Sequence, residues 1–221
     1  MNKPLKILVK FPTRERPQQF AKTLYTYRQL SSDKANTRIV VTVDADDSSM
    51  FSARDLKYPD TQEPIQVIVH HRSGKIAAIN YGMDQCGEWD IVLLASDDMM
   101  PQVEGYDDLI RSAFGDNLDQ CLWINDGRQD RICTIVCMGR EYYDRFGYLY
   151  HPSYKSLWCD NEQTKLAVDA GKMIHAPCWI KNESPVWQGN QRRDRLYERN
   201  NRFYSVDKKN YEAREKLGFP A

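Results

Sequence analysis

No stretch of this chain approaches the roughly 18 apolar residues that a membrane-spanning helix needs, so no membrane association is expected. The early run Leu5-Lys6-Ile7-Leu8-Val9-Lys10 is too short and too charged for a secretory leader, and it reads as a first β-strand. Cysteine occurs six times (Cys86, Cys121, Cys133, Cys137, Cys159, Cys178) but never as a Cys-x-x-Cys pair, which removes the common zinc and redox motifs. Such scattered thiols fit reduced residues of a cytoplasmic protein, with Cys133 and Cys137 in the core on one face of a strand. Net charge is missing as well: 31 Lys plus Arg balance 31 Asp plus Glu, so overall electrostatics name no partner. There is no internal repeat, and Arg72-Ser73-Gly74-Lys75 lacks the spacing and the following hydroxyl of a Walker loop.

What remains is an ordinary soluble composition, 221 residues with 41% apolar and 28% charged, enough for one folded domain with an appended tail. Short β-branched runs alternate with helical ones. Lys6 to Phe11, Arg38 to Val43, Ile65 to His70 and Asp90 to Ala95 read as strands, and so do Leu122 to Asn125 and Ile132 to Met138. Arg16 to Leu30, Ile76 to Cys86, Gly105 to Phe114 and Asn161 to Ala170 read as helices, the last stopped by Gly171. This alternation predicts an α/β sandwich around a mainly parallel sheet, which binds ligands at the carboxyl ends of its strands.

The polar residues obey that rule. Pro12-Thr13-Arg14, Asp44-Ala45-Asp46-Asp47, and Ser96-Asp97-Asp98 each follow a strand, and Lys75 opens a helix after another. Two carboxylates behind the buried run Ile91-Val92-Leu93-Leu94 are costly unless a cation compensates them. A hard divalent ion shared with phosphate oxygens is the natural partner, and a capping role explains at most one of Asp97 and Asp98. The Asp44 to Asp47 corner is a rival metal motif, preferred here as a base and ribose site. Lys75, with the amides of its helix start, suits a diphosphate. Asp160 either caps the helix it opens or serves as a general base, with Glu162 orienting an acceptor or a basic loop. From Gln191 to Lys216 basic residues interleave with aromatics, a composition that suits a polyphosphate or a solvated helix packing Leu196, Tyr197, Phe203 and Tyr204 on the body.

Taken in order from Lys6 to about Pro177, these motifs resemble the family-two glycosyltransferases of GT-A fold. The stretch from Tyr150-His151-Pro152 to Cys159-Asp160-Asn161-Glu162 looks closest to small stand-alone members of bacteria and bacteriophages. The resemblance implies a Rossmann-like α/β/α catalytic domain over residues 1–187 and an extension, 188–221, on or near the active site. It implies inverting transfer of a sugar from a nucleotide sugar, UDP-linked by preference, to an acceptor hydroxyl. Pro12, Thr13, Arg14, Asp44, Asp46, Asp47, Lys75, Asn80, Ser96 and Asp97 would hold the donor. Asp97 or Asp98 would hold Mg²⁺ or Mn²⁺, with His175 a candidate to complete the shell. Asp160 would be the base, and Trp158, Arg192, Arg193 and Arg195 would meet the acceptor. That acceptor is either a 5-hydroxymethylpyrimidine such as hydroxymethylcytosine in viral DNA or a cell-surface saccharide precursor. A non-catalytic binding module and a nucleotidyltransferase are the other functions open to such a scaffold.

Overall fold

Strand β1 (Ile7–Thr13) alternates its side chains between two buried faces. Ile7, Val9 and Phe11 enter one apolar cluster; Leu8 enters the other, and Lys10 shares its face. Both faces of β1 are covered because it lies in the middle of the sheet, and its neighbour β4 (Ile91–Leu94) is a fully buried apolar run for the same reason. The computed structural model describes residues 3–71, 74–184 and 194–220. Helix α1 (Pro17–Leu30), begun by a proline suited to a first turn, packs Phe20, Leu24 and Tyr27 against the Phe11 face. Phe11 meets Phe20 and Tyr27 edge to face, with ring centroids 5.0 and 6.1 Å apart.

The chain continues through β2 (Thr37–Asp44), a 3₁₀ segment (Ser48–Asp55), β3 (Gln66–His70), α2 (Lys75–Asn80) and β4 (Ile91–Leu94). Then come β5 (Met99–Pro101), α3 (Tyr106–Phe114), β6 (Cys121–Ile124), β7 (Val136–Gly139) and α4 (Arg140–Asp144). Next are α5 (Cys159–Asp169), β8 (Met173–Ala176), β9 (Ile180–Asn182), α6 (Arg195–Asn201) and α7 (Tyr204–Lys216). Seven strands form one sheet in the order β3-β2-β1-β4-β7-β6-β8, and β5 pairs with β9 apart from it. Only β7 runs against its neighbours; β3, β2, β1 and β4 are mutually parallel, as are β6 and β8. The expected mainly parallel α/β sheet is therefore present. Helices α1, α2 and α5 each lead back from the carboxyl edge, so their N-termini share that edge with the ends of β1, β2 and β4.

Three expectations need correction. The helix expected over Ile76 to Cys86 ends at Asn80, because Gly82 adopts φ +71° and a separate 3₁₀ turn (Met83–Cys86) follows. The strand expected from Ile132 begins only at Val136, since the Cys133 amide donates to the Thr164 hydroxyl (2.9 Å) instead of a sheet partner. Of the tail aromatics expected to pack on the body, Phe203 and Tyr204 both stay exposed, although the Tyr204 ring borders Trp158. The stop after α5 is as expected: Gly171 is left-handed, its amide donates to Val168, and Lys172 donates to Ala167. All six cysteines are free thiols.

Candidate active site

The ends of β1 and β2 meet at Arg14. Its Nη1 donates to Asp44 Oδ2 and Asp46 Oδ1, both at 2.7 Å, and its Nη2 to Asp46 Oδ2 at 3.2 Å. Asp44 is buried and also faces His70 Nδ1 at 3.2 Å, while Asp46 stands exposed. Arg14 holds the Asp46 carboxyl below the usual carboxylate range. Pro12 is half-buried on β1. The Thr13 hydroxyl is buried with no partner among the described residues, an unmet polar group at the mouth of this corner. Asp47, expected to touch the donor, is otherwise engaged. It accepts the Glu15 amide (2.7 Å), the Ser49 amide (3.1 Å) and the Ser49 hydroxyl (2.6 Å), and so caps the 3₁₀ segment.

Beyond β4, the Ser96-Asp97-Asp98 turn is fastened to α1. The Asp97 carbonyl accepts the Thr23 hydroxyl (2.6 Å) and the Gln19 amide (3.1 Å). Arg16 lies among three carboxylates. Its Nη1 is 2.7 Å from Asp97 Oδ1 and 4.0 Å from Asp98 Oδ2, and its Nε and Nη2 each reach Asp194 Oδ2 at 2.7 Å. Burial pushes the Asp97 carboxyl up to about 6, against the pull of Arg16, with Asp98 and Asp194 adding to the rise. Asp98 accepts the Ser96 hydroxyl on Oδ1 and is only partly buried. The turn thus offers a divalent ion one carboxylate, Asp98, while Asp97 is engaged by Arg16. That donor set fits Mg²⁺ or Mn²⁺ completed by phosphate oxygens and water. No group of three His, Cys, Asp or Glu suited to a metal occurs among the described residues. His175, a candidate to complete a metal shell, lies on β8, three strands from β4 (roughly 14 Å at ordinary strand spacing), with its ring against Trp123 (4.9 Å).

Asp160 sits in the first turn of α5. Its Oδ1 accepts the Asn161 amide (3.0 Å), and Oδ2 has no hydrogen-bond partner among the described residues. Burial raises its carboxyl above the ordinary range, partly opposed by Lys75 on the first turn of α2. Lys75 itself is exposed. Glu162 is fully engaged: it accepts the Tyr154 hydroxyl (2.7 Å) and a fork from Arg214 (2.8 and 2.9 Å). Its carboxylate is thus buried and held by Tyr154 and Arg214, away from solvent. Asn80 is likewise consumed, donating to the Tyr150 carbonyl (2.7 Å) and accepting from the Leu149 and Tyr150 amides. It clamps the loop ahead of α5. Trp158 is half-buried, Arg195 is exposed at the start of α6, and Arg192 and Arg193 lie outside the described residues.

Arg16 and Asp194 join the site unexpectedly, whereas His70 stands at a strand end where converging polar groups are expected. Arg16 reads as a helix opener, and its partner Asp194 is 178 positions away. A second arginine two residues after Arg14, at the same strand end, was the available signal.

No family model matches the chain, and no curated protein matches it. Solved structures do. A mannosyltransferase, PcManGT from Pyrobaculum calidifontis, in complex with GDP-Man and Mn²⁺, superposes with a TM-score of 0.67 at 15% identity, over 83% of this chain and 58% of that one. S. aureus TarS, residues 1–349, gives 0.61 at 15% identity, over 82% of this chain and 61% of that one. A putative glucose-1-phosphate thymidylyltransferase from Bacillus anthracis gives 0.56 at 11% identity, over 87% and 94%. This chain thus spans 58% and 61% of the length of the two transferase structures. The fold is the Rossmann-like α/β fold of GT-A glycosyltransferases, and no helix among the described residues is long and apolar enough to cross a membrane.

Proposed function

We propose that this chain is a metal-dependent, inverting glycosyltransferase that moves a sugar from a nucleoside diphosphate sugar to an acceptor hydroxyl. The observation that carries the reading is the meeting, at one sheet edge, of three complementary sites. The Arg14–Asp44–Asp46 corner suits a nucleoside, the Asp98 turn suits a metal-bound diphosphate, and Asp160 offers a carboxylate oxygen with no hydrogen-bond partner among the described residues. The solved structures that carry GDP-Man with Mn²⁺, or UDP, have this fold, which supports a nucleotide sugar as donor.

In this reading Arg14, Asp44 and Asp46 hold the nucleoside, with the Thr13 hydroxyl available as a donor or acceptor. Lys75 and the α2 N-terminus face the diphosphate. Asp98 holds the divalent ion, and Arg16 keeps Asp97 neutralised so that the turn survives burial. The metal, when bound, neutralises charge on the departing diphosphate. Asp160 takes the proton from the acceptor hydroxyl as its oxygen bonds to the anomeric carbon on the face opposite the leaving phosphate. The upward shift of its carboxyl favours that step. Asn80 and Glu162 position the loop and the helix around Asp160 without touching substrate.

Replacing Asp160 with Asn tests the assignment. Turnover should fall by about a thousandfold or more while donor affinity stays within about twofold, since only the proton acceptor is lost. Equal turnover in Asp160→Asn would remove the mechanism. Release of pyrophosphate in place of a nucleoside diphosphate would instead assign nucleotidyl transfer, the activity named for the thymidylyltransferase relative.

A further inference from the structure

We infer that helix α7 is a working part of this site, and that Asp207 is the positioning residue that fixes the loop presenting Asp160. The inference rests on the transferase reading for the role of Asp160, and on α7's own contacts for the rest. Asp207 is fully buried and makes no ion pair with a described residue. Its Oδ1 accepts the Lys155 amide (2.9 Å), and its Oδ2 accepts the Ser156 and Leu157 amides (both 2.8 Å). A carboxylate tolerates an apolar interior only when its hydrogen bonds are met, and three consecutive amides meet them here.

The cradle ends at the residue before Trp158, whose φ of +65° is a left-handed conformation that a bulky side chain rarely adopts. Such strain persists only where the surroundings over-determine it. Helix α7 supplies that constraint. The Trp158 ring lies against Tyr204 (5.7 Å) and Tyr211 (5.4 Å), with the Lys208 ammonium 5.8 Å from its centre. Asp160 is two residues further on. On its far side, Arg214 grips Glu162 with two hydrogen bonds. Tyr204, Asp207, Tyr211 and Arg214 form one stripe of α7, at spacings of three, four and three residues.

A helix kept only to seal the core would bury an apolar stripe. Helix α7 instead leaves Val206 exposed and aims directional polar contacts at residues on both sides of Asp160. Its work is to hold that carboxylate at a fixed place and orientation.

The test is Asp207→Asn in the full chain, which puts an NH₂ against amides that need an acceptor. The expected result is a kcat lower by on the order of ten- to a hundredfold, the misplacement scale, with KM for the nucleotide sugar unchanged within about twofold. Hydrogen exchange at the Lys155, Ser156 and Leu157 amides should accelerate in the same variant. Arg214→Lys keeps the charge but loses the fork; it should move kcat the same way by less, and it serves if Asp207→Asn does not fold. An unchanged kcat in a folded variant, or amides as protected as in the parent, would overturn the inference. Absence of turnover in the parent chain would count against the transferase reading alone. The exchange rates would then decide by themselves whether α7 holds the loop.

Discussion

Asp98 and Lys10 show how differently a charged side chain behaves at the edge and in the middle of the same sheet. Asp98 keeps an oxygen facing Arg16 at 4.0 Å and is partly open, so it is the carboxylate through which a divalent ion would act. Asp98→Asn is expected to abolish the gain in nucleotide-sugar affinity caused by Mn²⁺, while affinity measured in chelator stays the same; calorimetry under both conditions reads this directly. Lys10 has no such freedom. It is fully buried, and its ammonium donates to the Thr42 hydroxyl and the Tyr81 carbonyl, both at 2.7 Å. Burial pushes its pKa down from 10.5 to about 8. Between those values the unfolded chain holds a proton that the folded chain has released, so stability rises with pH across this window. Below pH 8 the cost of the buried charge is fully present. Relative to Lys10→Met, the parent should gain roughly 3 kcal/mol of unfolding free energy between pH 8 and 10.5, read from urea titrations. A constant difference would mean that Lys10 titrates normally.

Helix α3 carries the clearest structural charge. Asp107 in its first turn is fully buried and accepts from the Ser31 and Thr37 hydroxyls, the Ser32 and Asp33 amides, and Arg111. Burial alone would raise its carboxyl; the hydrogen bonds from Ser32, Ser31, Asp33 and Thr37 outweigh it and hold the group below the usual range. Its stabilisation is therefore complete above the unfolded carboxyl's pKa and fades as pH falls through the folded value. Asp107→Ala should cost about 3–5 kcal/mol near neutrality, with the gap closing in strong acid. Elements such as this one were legible in outline. Strand β2, ending at Asp44, and strand β4, ending at Leu94 just before Ser96-Asp97-Asp98, announce themselves by apolar runs meeting acids, and Asp160 by its place at a helix start. Asp47 and Asn80 were not, because a sequence does not show that nearby amides have already claimed a polar side chain. The Ser48-Ser49 pair after Asp47 is in hindsight a capping signal. The three-residue strands β5 and β9 are too short for any periodicity, and the Arg16–Asp194 pair spans most of the chain.

For the molecule as a whole, the tail's cations bear on the proposed choice of acceptor. Several of its cations are already spent on the protein: Arg214 on Glu162, Arg199 on Glu15 at 3.5 Å, and Lys208 on Glu212 at 3.8 Å. Arg195, Arg202, Lys209 and Lys216 make no ion pair with a described residue and would be the described tail's contribution to a polyanion. If modified DNA is the acceptor, log affinity should fall with log salt at a slope of about −0.9 per phosphate neutralised. A saccharide acceptor predicts affinity nearly indifferent to salt, and the two slopes are easily separated.

Sugar transfer from a metal-bound nucleotide sugar is the proposed activity. The most direct test is nucleoside diphosphate release from a panel of nucleotide sugars with Mn²⁺, with and without hydroxymethylcytosine-containing DNA and saccharide acceptors. Metal-dependent release is expected from at least one donor, rising with one acceptor class and lost in Asp160→Asn. No release from any donor, together with no metal-dependent donor binding, would contradict it.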